Sequence, residues 1–189
     1  MKYILASQSQ RRKEILNKLG LNFEIQVSDC EEKTQESKPQ NIVKDLAKQK
    51  AINVYNKQDV SKDFTIIAAD TIVYIDGKIL GKPKDDKDAF QMLSLLQNNW
   101  HTVYTGVYIL ENIEDSKRAN NYFESTRVHM KPLDDIIINK YIESGEPQDK
   151  AGAYGYQGLG RVLIDKIEGE KETVIGLPIV KLKKLLNIT

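Results

Sequence analysis

The chain reads as an α/β protein built on a mixed β-sheet flanked by helices. Three observations predict this. Segments with strand and helix periodicity alternate along the sequence. The run 64–69 is apolar throughout, as a central strand covered on both faces would be. Asp76-Gly77 joins two short extended runs, a hairpin signal that a purely parallel, doubly wound sheet does not contain.

The elements follow in order. Residues 3–6 predict a short buried strand. Ser9 is placed to cap a helix carrying Ile15, Leu16 and Leu19 at helical spacing, which Gly20 ends. Residues 23–27 alternate apolar and polar, predicting a strand with one wet face. Residues 29–38 form an acidic, turn-rich loop. A second helix begins near Pro39, with Ile42, Val43, Leu46, Ala47 and Ala51 on its apolar face. The strand 64–69 runs into Asp70-Thr71, and 72–75 and 78–80 flank the hairpin turn. Ala89, Met92, Leu93 and Leu96 mark a third helix, closed by Asn98-Asn99. Two long strands are expected at 102–111 and 122–130, then a helix over 134–143 ended by Ser144-Gly145. A Gly-rich stretch, 152–160, leads to a strand at 162–167. Gly169 makes a turn, and a terminal helix covers 179–186 after Pro178.

Composition removes several classes of function. Lys and Arg number 28 against 27 Asp and Glu, a net charge of +1. A duplex-DNA binder or polybasic membrane protein is usually far more positive, so no nucleic-acid polymer and no membrane partner is expected. The single cysteine, Cys30, has no intrachain partner, which fits a reducing compartment. With no apolar run near ~20 residues and no signal-peptide pattern after Met1, a cytoplasmic location is expected. His101 and His129 are too few and too far apart for a His-rich zinc site. There is no G-x-x-x-x-G-K-[ST], no G-x-S-x-G and no C-x-x-C.

Four places carry residues able to do chemistry. Ser7-Gln8-Ser9-Gln10-Arg11-Arg12 spans a strand-to-helix junction, where unpaired backbone N–H groups, hydroxyls and guanidiniums favour a phosphate. A capped helix with two solvated arginines is the alternative. Asp70 follows an apolar strand, and strand carboxyl ends line ligand crevices in α/β sheets. Its carboxylate suits Mg²⁺, joined by Glu31 and Glu32 from the acidic loop, or else serves as a turn residue. Gly81-Lys82-Pro83 offers open backbone and a compact positive charge, and Lys50 is a weaker candidate on the second helix. The stretch from Asp149 to Gly160 has glycines that permit close approach of a ligand. Its Gln157 carries a donor and an acceptor able to read one edge of a base.

Taken together these segments resemble the Maf family of nucleoside triphosphate pyrophosphatases, related in fold to inosine triphosphatases. The resemblance rests on residues 5–12, 46–51, 69–73, 80–83, Thr105-Gly106-Val107, 149–160 and Gly176-Leu177-Pro178, all in order. The wording of 151–158 looks like the branch acting on dTTP and UTP. Gln10 stands where members usually have Pro, and Ala69 where they commonly have Gly. Neither change touches a charged group.

The resemblance implies one domain over 1–189, an elongated fold with two lobes around a central cleft, and a homodimer. It implies a divalent cation, Mg²⁺ or Mn²⁺, and release of pyrophosphate from a nucleoside triphosphate. By the family motif Asp70 is the general base. Ser7, Arg11, Arg12, Lys50 and Lys82 hold the phosphates, and Glu31 or Glu32 helps Asp70 with the metal. Arg11, Thr71 and Gln157 set base choice. Two other readings stay open: a purine-type house-cleaning pyrophosphatase, and a nucleotide-binding regulator of septum formation without turnover.

Overall fold

The computed structural model describes residues 2–114 and 116–188. Seven strands form one sheet in the order β2-β1-β3-β5-β6-β7, with β4 paired to β3. They are β1 (Lys2–Leu5), β2 (Phe23–Ile25), β3 (Phe64–Ile75), β4 (Lys78–Leu80), β5 (Trp100–Ile113), β6 (Ser116–Met130) and β7 (Ile164–Glu168). Among the described residues six α-helices accompany them: α1 (Gln10–Lys18), α2 (Pro39–Tyr55), α3 (Asp86–Leu96), α4 (Asp135–Glu143), α5 (Lys171–Ile175) and α6 (Ile179–Leu186). β1 is parallel to β2 and β3, whereas β3–β4 and β6–β7 are antiparallel. The expected mixed sheet flanked by helices is therefore present.

Contacts divide the chain into two compact units. The first is Met1–Asp70, Thr105–Glu124 and Gly176–Thr189; the second is Thr71–Tyr104 and Ser125–Ile175.

In the first unit the chain leaves β1 for α1, returns as β2 on one side of β1, and after α2 enters β3 on the other side. Strand order thus reverses at β1, and the carboxyl ends of β1 and β3 flank the kind of crevice in which open α/β sheets bind ligands. Residues Phe64 to Asp70 are all buried, matching the unbroken apolar pattern. Ala47, Ala51 and Val54 of α2 pack with Ile4, Phe64 and Ile66. Gly106 lies against α2 so closely that a Cβ there would strike the Val43 carbonyl, which accounts for the small residue between Thr105 and Val107.

The second unit has its own core, with Leu93 and Leu96 of α3, Ile138 and Tyr141 of α4, and Met130 and Ile164 from the strands. The Asp76-Gly77 turn has φ of 48° and 78°, as a two-residue type I′ hairpin needs. Asp134 caps α4, accepting from the Ile137 N–H at 2.8 Å.

Several expectations shift. β3 does not stop at Asp70 but runs twelve residues to Ile75. β6 starts six residues before the apolar signal at Tyr122, because 116–121, polar but for Ala119 and mostly exposed, still lie in the strand beside β5. β7 starts at Ile164 rather than Val162, which sits exposed in a 3-10 turn. The short α5 was not foreseen; its five residues hold too little periodicity to register.

Candidate active site

β1 ends at Leu5, which is in register with Ile67 of β3. Because the two strands are parallel, Asp70 lies three residues beyond the end of β1, on the side towards which Ser7 and α1 lead. The Asp70 side chain is largely buried. Burying a carboxylate inside a strand is costly without a partner. Lys50 supplies one: its Nζ donates to Asp70 Oδ1 at 2.6 Å. The strand runs on through Asp70 to Ile75 with the carboxylate so paired. Lys50 gets there from α2, where it follows the apolar face marked by Ala47 and Ala51 and is itself only 13% exposed.

The same ammonium lies 3.0 Å from Glu32 Oε2. Two carboxylates from distant parts of the chain thus meet one cation. Glu31 does not join them; it pairs with Lys33 at 2.7 Å in solvent. Among the described residues no group of three or more His, Cys, Asp or Glu side chains is arranged to hold a metal. Mg²⁺ commonly uses only one or two carboxylates, with waters and substrate phosphates completing its shell. Asp70 and Glu32 fit such a site in number and donor type.

The strand-to-helix junction is built as the sequence suggested, with one addition. Ser9 caps α1, its Oγ 3.5 Å from the Arg12 N–H. Ser7, buried, accepts from the Ser9 N–H at 3.2 Å and from Arg12 Nη1 at 3.1 Å. Arg12 Nε donates to the Gly176 carbonyl at 2.8 Å. The Gly176-Leu177-Pro178 segment therefore belongs to this site, although it lies near the other end of the chain. Burial pulls the Arg12 pKa down, with Arg11 adding to this, while Asp70 and Glu32 push it back up. Arg12 is thus close enough to Asp70, Arg11 and Glu32 to feel their charges.

Thr71, Lys82 and Gln157 belong to the second unit. Lys82 is exposed and Gln157 half-buried. Two of the predicted segments meet here, since the Gly152 N–H donates to the Gly81 carbonyl at 2.9 Å. The Gly-rich stretch owes its composition to the protein itself more than to a ligand. Gly152, at φ 68°, would drive a Cβ to 2.8 Å from Val73 Cγ2, and Gly155 would meet the Lys150 stem. Tyr154 is a core residue, its hydroxyl 2.6 Å from His101 Nε2. Sequence reasoning missed Glu146, whose carboxylate meets the backbone of this stretch. Its one signal was an acidic residue beside Pro147, just before the glycines.

Comparison with known proteins shows what the chain is similar to. Residues 2–189 match the Maf-like protein family. A dTTP/UTP pyrophosphatase of Thermoanaerobacter sp. (strain X514) is 48% identical over 187 residues, covering 99% of this chain and 96% of the relative. One from Clostridium botulinum (strain Eklund 17B / Type B) is 46% identical over 189 residues, covering 99% and 98%. In fold the chain is similar to a HAM1 protein from Coxiella burnetii, with TM-score 0.54, 14% identity and full coverage of both chains. It is also similar to the Staphylococcus aureus Ham1 protein, with TM-score 0.52, 15% identity and coverage of 99% and 98%. With a family match across the chain and near-full-length relatives at almost half identity, this chain belongs to the Maf-like protein family.

Proposed function

We propose that this chain is a nucleoside triphosphate pyrophosphatase that hydrolyses dTTP and UTP to the monophosphate and pyrophosphate. The relatives named dTTP/UTP pyrophosphatase support the activity. The observation that carries the chemistry is Lys50 Nζ lying 2.6 Å from Asp70 and 3.0 Å from Glu32, in the unit that also holds the Ser7–Arg12 pair.

Water attacks the α-phosphorus in line with the leaving group. The bond from that phosphorus to the bridging oxygen breaks, and its electron pair leaves with pyrophosphate. Asp70 accepts the proton that the water gives up. Ser7, Arg11, Arg12 and Lys50 hold phosphoryl oxygens and offset their charge, and Lys82 contributes a further cation. Asp70 and Glu32 would hold the divalent cation, with Glu32 preferred to Glu31 because its carboxylate already shares a cation with Asp70. When bound, the cation would supply charge to the phosphates and acidify the attacking water.

Gln157 reads the base, with Arg11 and Thr71 assisting. Its side chain presents an N–H₂ donor and a C=O acceptor together. Uracil and thymine offer an acceptor beside an N3–H donor, so one amide satisfies both. Cytosine offers an acceptor at N3 and a donor at C4, and a mismatch leaves polar groups unpaired at about 1–3 kcal/mol each. A single domain across the matched residues and a homodimer complete the reading.

Purified protein with Mg²⁺ and a panel of UTP, dTTP, CTP and GTP tests it by pyrophosphate release. Faster turnover of UTP and dTTP is expected. Equal rates on all four, a purine preference, or binding without release would each overturn it.

A further inference from the structure

The geometry points to Glu146 as the positioning residue that sets base selectivity by clamping the turn next to Gln157. The inference rests on the proposed role of Gln157. It starts from a half-buried carboxylate with three donors aimed at it. Glu146 Oε2 accepts from the Leu159 N–H at 2.8 Å, and Oε1 accepts from the Gly160 N–H at 3.0 Å. The Tyr141 hydroxyl donates to Oε1 at 3.2 Å. Burial, and then the nearby Glu146 charge, raise the Tyr141 pKa, so the phenol keeps its proton and remains a donor. Bonds from neutral donors to an ionised acceptor are among the strong ones.

Glu146 is held from behind as well. Its N–H donates to Ser144 Oγ at 3.2 Å, and its carbonyl accepts from Lys150 Nζ at 2.5 Å. Lys150 is buried and also pairs with Asp149 at 2.8 Å. On the other side, Gly158 has φ 68°, and a Cβ there would come within 2.7 Å of Glu146 Oε2. The carboxylate therefore lies flush against residues 158–160, and Gln157 is the residue immediately before them. Two consecutive amides tied to one carboxylate fix the direction in which the chain leaves Gln157. Loosening them lets that side chain wander, and misplacement by about 1 Å is enough to lose discrimination.

Glu146→Gln and Gly158→Ala perturb the clamp from its two sides, and Gln157→Ala removes the reader. Each is compared with wild type in kcat and KM for UTP and CTP, and in hydrogen exchange of the Leu159 and Gly160 amides. Glu146→Gln places an N–H₂ where an acceptor is needed. We expect it to lower the UTP:CTP ratio of kcat/KM about tenfold through KM, with kcat changed less than about threefold. The two amides should exchange faster. Gly158→Ala should shift the ratio the same way, and serves alone if Glu146→Gln does not fold. If Gln157→Ala collapses the ratio while the clamp variants keep wild-type ratios or wild-type amide protection, the inference fails and the Gln157 reading stands. If Gln157→Ala leaves the ratio unchanged, the Gln157 reading fails and takes this inference with it.

Discussion

In the first unit the buried Asp70 carboxylate is held by charge: it shares the Lys50 ammonium with the half-exposed Glu32. In the second unit the half-buried Glu146 carboxylate is held by neutral donors instead: two backbone amides and the Tyr141 hydroxyl. The difference is chemical. An ion pair such as Lys50–Asp70 can exchange its cation for a metal or its anion for a phosphate, because any ligand of the same charge restores the balance. A carboxylate satisfied by backbone amides has no such substitute. The first arrangement suits groups that must change partners during a reaction, the second groups that must stay put.

Four measurements sharpen or break that comparison. The largest effect is expected from Asp70→Asn, which should fold but lose ~10²-fold or more in kcat. Near-wild-type turnover from the folded variant would break the assignment of Asp70 as base. The next effect belongs to the second unit. Burial lowers the His101 pKa from 6.5 to about 4. The unfolded chain takes up a proton there as pH falls below 6.5, while the folded protein resists until near 4. Stability should therefore decline across that window, by up to about 3 kcal/mol from this one group. Urea unfolding from pH 7 to pH 4 measures the slope, and His101→Phe should flatten it.

A smaller change is expected from Lys50→Met, which leaves Asp70 without its buried cation. About 1–3 kcal/mol of stability should be lost, less than for a fully buried pair because Glu32 is half exposed. Mn²⁺ without nucleotide should raise the Tm of this variant more than that of wild type. Equal shifts would show that the two carboxylates are not an exchangeable cation site. The smallest effects compare two helix caps. Asp134→Ala removes a 2.8 Å cap in the second unit and should cost about 1 kcal/mol by thermal unfolding. Ser9→Ala removes a 3.5 Å contact in the first and should cost only a few tenths. A larger loss at Ser9 would mean that its hydroxyl holds more than the α1 terminus.

Features that neighbouring residues decide are legible before folding. The Ser9 start of α1, the Pro39 entry into α2, the Asp76-Gly77 turn, the α3 face and α6 all follow from local caps, turns and periodicity. So does the buried character of 64–69, because an unbroken apolar run has few other places to go. That Ser7 and Arg12 share a neighbourhood was legible for the same reason, as both lie on one strand-to-helix junction. Tertiary structure decided the rest. That Glu32 and not Glu31 meets the ammonium that holds Asp70 depends on where α2 places Lys50, eighteen residues further on. That Asp70 is buried inside a strand with a cation beside it depends on the same lysine, which a distant helix delivers. Glu146 looked like one more surface acid until folding set the amides of Leu159 and Gly160 against it. A charge declares its sign in the sequence, but its role depends on which opposite charge or donor the packed backbone brings within about 3 Å, and only long-range contacts settle that.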